Sequence, residues 1–486
     1  MKFNILRNFF CFFIIFLFFL LPLVRAADIY IGAASADITP ALPSAVDGQM
    51  KLRIATTVET PITTNVIVIE SREDGRSLGI SVLVSCDLVT IPTELRDMIR
   101  KEIKQRVPGI DMQKIIINAT HTHTSAVVRD GWYLIPKGVM QVETYLNFLT
   151  GKVADAIEKA LNIRQLGSVT WGLGHAKVAY NRRAIYENQT AQMYGKTNLS
   201  EFRKIEGFED QDINSLFFWN KTGKLIAACI NIASPAQIVE SRSTINADYW
   251  HPVRLALKKR FGKDLCVLGW ISAAGDQTPR PMYGLLAENR MVKLRGGDYM
   301  DEIAHRIVTS VEDTYQVVKN DRRKDLTIIH KVDKFDLPMR LVTAEEYKVA
   351  KNMRDEDAGD KEKAVEFHRR IVWQEEVIER FEKQKTNPQP MYNVEVHVLR
   401  IGDIVLCTNP FELFTDYGIQ IKARSKAEQT FILQLVGPGT YLPTKEAVKG
   451  GHYSAIVQSN RVGPEGGQIL VEHTLKLINS LWPTQK

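Results

Sequence analysis

The sequence predicts an α/β fold in which β-sheets are covered by helices. Two observations predict it. Short apolar runs rich in Val and Ile recur along the chain, as in Ile115-Ile116-Ile117 and Leu225–Ile232, and such runs make buried strands. Longer segments with apolar residues at helical spacing lie between them. Alternation of the two element types argues for sheets packed against helices. No internal repeat is visible.

The first 26 residues stand apart. Lys2 and Arg7 precede an almost wholly apolar stretch at 9–24, and Val24-Arg25-Ala26 offers a small-residue cleavage pattern. This is the layout of a secretory signal peptide. The stretch is shorter than the roughly 20 residues of a membrane span. It predicts cleavage before Ala27, a secreted or periplasmic location and no stable membrane span. Residues 27–486 are expected to form a single domain. Strands are expected at 28–32, 64–70, 78–83, 114–117, 225–232, 265–271, 394–407 and 430–436. Helices are expected at 93–106, 141–161, 250–261, 297–316 and 466–482. Residues 341–385 are dense in Glu, Lys, Arg and Asp, with a break near Asp357-Ala358-Gly359-Asp360. They predict two charged helices forming a solvated surface excursion.

Composition excludes some partners. Removing Lys2, Arg7 and Arg25 lowers the formal net charge from +7 to +4. No dense basic patch alternates with aromatics, so nucleic acid is not an expected partner. Cys86, Cys229, Cys266 and Cys407 each sit in or beside an apolar run, and no CxxC pattern occurs. They read as buried core thiols rather than as disulfides or a structural zinc site.

Four constellations could carry chemistry. Asn118-Ala119-Thr120-His121-Thr122-His123 follows a strand and holds two of the ten histidines. Residues i and i+2 share a face on extended backbone. The pair suits a metal ligand beside a proton carrier, or a polar turn. Gly275-Asp276-Gln277-Thr278-Pro279-Arg280 places a hydroxyl at a sharp turn after small residues, as a nucleophile, an oxyanion donor or an ordinary turn. Glu412 is framed by Phe411 and Phe414, and a buried carboxylate calls for a cation or an arginine. Tyr441, His452 and Tyr453 lie in glycine-rich loops where phenols can bind metal or donate to developing charge. Arg182, in Asn181-Arg182-Arg183, matters if it reaches the same cleft.

Together these pieces resemble the neutral ceramidase family, the neutral/alkaline non-lysosomal ceramidases. The family opens with G-x-x-x-x-D-I-T-P, seen here as Gly32 through Asp37-Ile38-Thr39-Pro40. Its N-x-T-H-T-H matches Asn118 to His123. Its N-R matches Asn181-Arg182, and its N-S-D matches Asn246-Ala247-Asp248. Its G-D-x-S-P-N matches Gly275 to Arg280, and its Y-x-x-T-x-E matches Tyr441, Thr444 and Glu446. The order is kept over nearly the whole mature chain. The resemblance implies the family's catalytic domain, without a counterpart of its C-terminal β-sandwich. It implies a zinc-dependent amidohydrolase that cleaves an N-acyl amide of a lipid or a similar substrate. His121, Glu412 and Tyr441 would hold Zn²⁺, and His123 would move protons. Arg182, Thr278 and Tyr453 would stabilise the oxyanion, with Asp276, Arg280 and His452 on the substrate.

This chain departs from the family pattern in places that bear on function. Ser234, in Ala233-Ser234-Pro235-Ala236, stands where the family has a ligand histidine. A serine hydroxyl is a poor zinc ligand. Either a nearby residue such as His251 or Asp248 substitutes, with His251 the stronger candidate, or metal binding is weakened, changed or lost. Thr278 replaces the family serine, and Arg280 replaces the asparagine. Arginine fits a planar carboxylate, which points to an acidic substrate. A rival reading follows: a lyase or hydrolase acting on a uronate-containing oligosaccharide, with Tyr453, His123 or His452 as acid or base. A further alternative is an inactive binding protein.

Overall fold

Period-two burial sorts the strands into two facing sheets. The computed structural model describes residues 27–482, and the export segment expected at residues 1–26 lies outside the described residues. The larger sheet contains β1 (Asp28–Asp37), β2 (Thr63–Glu73), β3 (Arg76–Cys86), β4 (Ile115–Ala119), β5 (Gln165–His175), β6 (Asp212–Asn220), β7 (Leu225–Ile232) and β8 (Cys266–Ile271). Their spatial order is β8-β7-β6-β5-β1-β2-β3-β4. Neighbours run antiparallel except at the two ends, where β7–β8 and β3–β4 are parallel. The smaller sheet aligns β9 (Ile328–Pro338), β10 (Met391–Ile401), β11 (Ile404–Thr408) and β12 (Gln429–Leu433) in that order, with β11 and β12 parallel.

Alternate residues of one strand face different layers, as the pleat requires. Val66 and Val68 of β2 pack under the helices Thr93–Arg106 and Val142–Asn162. Ile67 and Ile69 point the other way, onto Leu399, Leu406 and Phe431 of the smaller sheet. The helices Trp250–Phe261 and Tyr299–Val318 cover the outer side of β6–β8. The helices Thr415–Arg424 and Pro464–Asn479 cover the far face of the smaller sheet. The result is four layers, helix–sheet–sheet–helix, with the two sheets sharing one core. Among the described residues no helix is long and apolar enough to cross a membrane. Among the described residues the four cysteines, Cys86, Cys229, Cys266 and Cys407, are buried and free.

Three strands, β5, β6 and β9, lie where none was expected. β5 carries Gly167, Gly172 and Gly174; a Cβ at Gly172 would strike Thr314 and Val318 of the covering helix. Close helix approach, not side-chain bulk, defines that strand. β6 mixes polar residues with its aromatics, and β9 is a half-exposed strand at the end of its sheet. The stretch expected as one strand at 394–407 is a hairpin, broken at Gly402 with φ +61°. The charged excursion forms helices Ala344–Ala358, Lys361–Glu366 and His368–Thr386. It differs from a solvated hairpin: Ile371, Gln374 and Val377 of the last helix are buried. That helix packs over the molecule rather than standing away from it.

One buried ion pair ties the layers at the strand ends. Asp87, directly after β3, is fully buried and accepts five hydrogen bonds. Arg254 gives two, at 2.6 and 2.9 Å. Thr63 gives two, from its backbone N–H at 2.8 Å and its hydroxyl at 3.0 Å. Thr120 gives the fifth, at 3.1 Å. The pair thus joins the helix Trp250–Phe261 to β2, β3 and the exit of β4. Asp87→Ala leaves Arg254 buried without its partner. The expected loss is about 3–5 kcal/mol, read from denaturant unfolding; a loss under about 1 kcal/mol would refute this role.

Between the sheets, His330 Nε2 lies 3.1 Å from His397 Nδ1, and the Ser81 hydroxyl meets His330 Nδ1 at 2.9 Å. Burial, then the neighbouring His397, holds His330 well below the ordinary 6.5; burial also lowers His397. The unfolded chain regains the ordinary value and binds more protons below it. This contribution to stability is therefore complete above about pH 6.5 and is lost as pH falls below it. Urea midpoints measured at about pH 7.5 and about pH 5.5 should fall on acidification, and His330→Leu should reduce that fall.

Candidate active site

The parallel strand pairs of the two sheets deliver the candidate residues to one crevice. β4 ends at Ala119, and the next turn carries His121 at φ +62°. A bulky residue held in the left-handed region is uncommon and marks a constrained site. The Thr122 and Thr124 hydroxyls pin this turn by donating to the Asn246 carbonyl at 2.7 and 2.8 Å. From the smaller sheet, β11 leads to Glu412. The two-residue strand Glu412–Leu413 pairs in parallel with Tyr441–Leu442, setting Glu412 directly beside Tyr441. Gly275 donates its N–H to the Leu413 carbonyl at 2.8 Å. A Cβ at Gly275 would collide with the Glu412 backbone, so the close approach requires glycine.

The hydrogen-bond network assigns the imidazole tautomers. His121 Nδ1 lies 2.6 Å from the Val89 carbonyl and donates to it. Its Nε2 faces Glu412 Oε2 at 3.3 Å and His123 Nε2 at 3.2 Å. His123 Nε2 accepts from the Gln237 amide at 2.7 Å. Gln237 is oriented by Arg182, whose Nη1 donates to Gln237 Oε1 at 3.2 Å. His123 is held well below 6.5 by burial first, then by His121 and Arg53, so it is neutral at neutral pH.

Arg182 is buried, yet among the described residues it makes no ion pair with a carboxylate. It donates to the Gly275 carbonyl at 2.9 Å and to the Tyr441 and Tyr194 hydroxyls at 3.1 Å each. Burial alone would push Glu412 up, but His121, Arg182 and the Tyr441 hydroxyl outweigh it and hold the carboxyl below its ordinary range. Burial and Glu412 push the Tyr441 phenol well up. The centre is therefore a carboxylate, a protonated phenol and a fixed guanidinium.

A cavity opens over this centre. His121, Glu412, Tyr441 and Tyr453 line it, and its wall adds Arg129, Trp132, Arg369, Trp373, Glu376 and Arg461. The Tyr453 ring sits 5.8 Å from Tyr441 and 5.6 Å from Trp373.

The structure brings His121, Glu412, Tyr441, Tyr453 and Arg182 together. His123 lies behind His121 rather than on the cavity wall. The remaining expected residues are placed elsewhere. Ser234 donates to the Val178 carbonyl at 2.9 Å; Gln237, three residues on, is the side chain that faces His123. His251 is half-buried in the field of Arg254 and Asp87, at the start of a covering helix and not on the cavity wall, so it does not replace a ligand at His121. Thr278 accepts from the Arg280 backbone N–H at 3.2 Å and serves its own turn. Asp276 is a scaffold carboxylate, bound by Asn181 at 2.7 Å and by the Thr415 hydroxyl at 2.7 Å. Arg280 pairs with Glu240 at 3.2 Å, outside the cavity wall. His452 accepts from the Met193 N–H at 3.1 Å. Sequence reasoning missed Gln237, Arg129, Trp132, Arg369 and Trp373. Only the last two carried a signal: an arginine and a tryptophan one helical turn apart within a charged segment.

A ligating histidine commonly donates its other N–H to a carbonyl, as His121 does to Val89. The 3.3 Å between His121 Nε2 and Glu412 Oε2 suits neighbouring donors on a tetrahedral ion with bonds of about 2.0–2.1 Å. Among the described residues no three His, Cys, Asp or Glu side chains form a metal cluster. His121 and Glu412 would suit a cation, with the Tyr441 phenol beside Glu412 as the next candidate donor.

No family model matches the sequence, and no curated protein matches it. Solved structures match the fold, two ceramidases among them. The neutral ceramidase from Pseudomonas aeruginosa is 16% identical with a TM-score of 0.65, covering 95% of this chain and 76% of that one. A ceramidase complexed with C2 is 15% identical, also with a TM-score of 0.65 and the same coverage. The chain thus has the neutral ceramidase fold.

The tautomer assignment is testable. In metal-free protein, imidazole nitrogen NMR should show His123 neutral and protonated at Nδ1 down through its ordinary pKa of 6.5. Protonation of His123 at or above that value would contradict the assignment.

Proposed function

We propose that this chain is a divergent member of the neutral ceramidase superfamily, exported to act outside the cytoplasm, and that it hydrolyses an N-acyl amide in this cavity. The observation that carries the reading is the meeting of His121, Glu412 and Tyr441 on the cavity wall, backed by Arg182, within that fold. His121, Glu412 and Tyr441 would hold a divalent cation, zinc by resemblance, which when bound lowers the pKa of water and polarises a carbonyl.

The chain's own groups have separate tasks. Burial raises the Tyr453 phenol, so it keeps its proton and can donate to a developing oxyanion. Arg182 locks Tyr441 through the hydrogen bond to its oxygen, fixing the phenol beside Glu412. His123, neutral, takes the Gln237 N–H at Nε2 and packs edge-on against His121, holding that ring in place behind the centre. Trp373 gives the wall an apolar surface for an acyl chain and helps exclude water from the centre.

His121→Ala and Glu412→Gln should each lower amide hydrolysis by about 10²-fold or more, with bound metal falling in parallel. Release of fatty acid from a panel of N-acyl amides, with metal analysis of the same protein, checks both. Metal-loaded wild type that cleaves none of them would overturn the reading. A second reading, an enzyme acting on acidic oligosaccharides, is favoured by the arginines of the cavity wall. Ultraviolet absorbance of an unsaturated product from uronate oligosaccharides would support it and identify elimination.

A further inference from the structure

The cavity wall carries positive charge that the centre does not use. Three arginines line it against two glutamates. Arg461 is matched by Glu376 at 3.0 Å, and Glu412 is engaged by His121 and Tyr441. Arg369 is paired with Asp47 at 3.2 Å, so the unmatched charge lies at Arg129, beside it. Arg129 has one polar contact, to the Thr90 hydroxyl at 3.3 Å. Among the described residues it has no ion pair within 4 Å.

Arg369 is anchored through one nitrogen. Its Nη1 reaches the Tyr133 hydroxyl at 2.6 Å, the Gln49 carbonyl at 3.1 Å and Asp47 at 3.2 Å. All its hydrogen bonds fall on that atom, leaving the rest of the fork for a partner. Both guanidiniums lie over the same indole: Arg129 at 4.2 Å and Arg369 at 4.3 Å from the Trp132 ring centre. Two like charges held on one ring repel each other. Burial and the neighbouring Arg369 and Arg461 lower Arg129 to about 10, still a cation at neutral pH.

We propose that Arg129 and Arg369, held on Trp132, form a subsite for a carboxylate carried by the substrate. A guanidinium fork matches a planar carboxylate, and the aromatic ring keeps the fork's edge free. One excess positive charge suits a monoanion better than a dianionic phosphate. The subsite adjoins the centre, because Thr90 touches Arg129 while its neighbour Val89 fixes His121. A carboxylate bound there leaves the remainder of the substrate along Trp373 and Tyr453. This rests on the cavity being the substrate site, as in the hydrolase reading. It also names what that reading leaves open: an acidic substrate, such as an N-acyl amino acid or a uronate.

The test compares acid with amide in the full mature protein. N-lauroylglycine and N-lauroylglycinamide are the first pair of probes; trigalacturonate and its methyl ester are the second. Calorimetry should show the acid of at least one pair binding about tenfold or more tighter than its neutral partner. The pair that responds identifies the source of the carboxylate. Arg129→Gln and Arg369→Gln should each collapse that ratio toward one, whereas Arg280→Gln should keep it. Equal binding of acid and neutral partner in wild type overturns the subsite without needing any variant. So does a preference that survives both arginine changes. Cleavage of neutral amides with no acid preference would sink the subsite and leave hydrolysis standing. An arginine-dependent acid preference without amide cleavage would do the reverse.

Discussion

The buried Asp87–Arg254 pair is the constraint from which the site is built. An ion pair taken out of water gains little unless its remaining hydrogen-bond capacity is filled. Asp87 meets that condition with five donors from three parts of the chain. Its bond from Thr120 reaches the residue just before His121. The same contact that closes the strand ends therefore sets where the left-handed turn begins. Arg53 and Arg182 follow a related rule. Arg53 is held by carbonyls, including those of Asp47 and His123, and Arg182 by a carbonyl, an amide and two phenols. Buried cations here hold loops in place, and their charge stays available to the cavity behind those loops.

Much of the architecture was legible because burial leaves a periodic trace. The helices Thr93–Arg106 and Trp250–Phe261 were placed to the residue, and the β-branched runs gave β4 and β7. What escaped were strands defined by their neighbours. The glycines of β5 make sense only once the helix Tyr299–Val318 is seen to lie against them. β9 carries alternating charges because one of its faces is partly wet.

The site was legible in the same uneven way. His121, Glu412 and Tyr441 announce themselves by residue type and setting. Their meeting rests on a parallel pairing of two-residue strands that no local pattern encodes. Ser234 stands where a ligand histidine was expected, and its side chain turns to a main-chain carbonyl. Gln237, which orients His123, is an ordinary glutamine in sequence. Arg280 looked like the acidic-substrate residue because it sits in a motif. Its charge is already matched by Glu240, and the unmatched charge comes from Arg129, on a loop without a motif.

The helix His368–Thr386 has a consequence of another kind. It brings Arg369, Trp373 and Glu376 to the cavity, while His121, Glu412 and Tyr441 come from the ends of sheet strands. The two groups are inherited through separate stretches of chain. A lineage could lengthen, shorten or rewrite the excursion and so change which molecules enter, while the reactive centre drifts little. Divergence in this fold would then proceed by exchanging the wall around an old floor, and overall sequence identity would be a poor guide to what each descendant consumes.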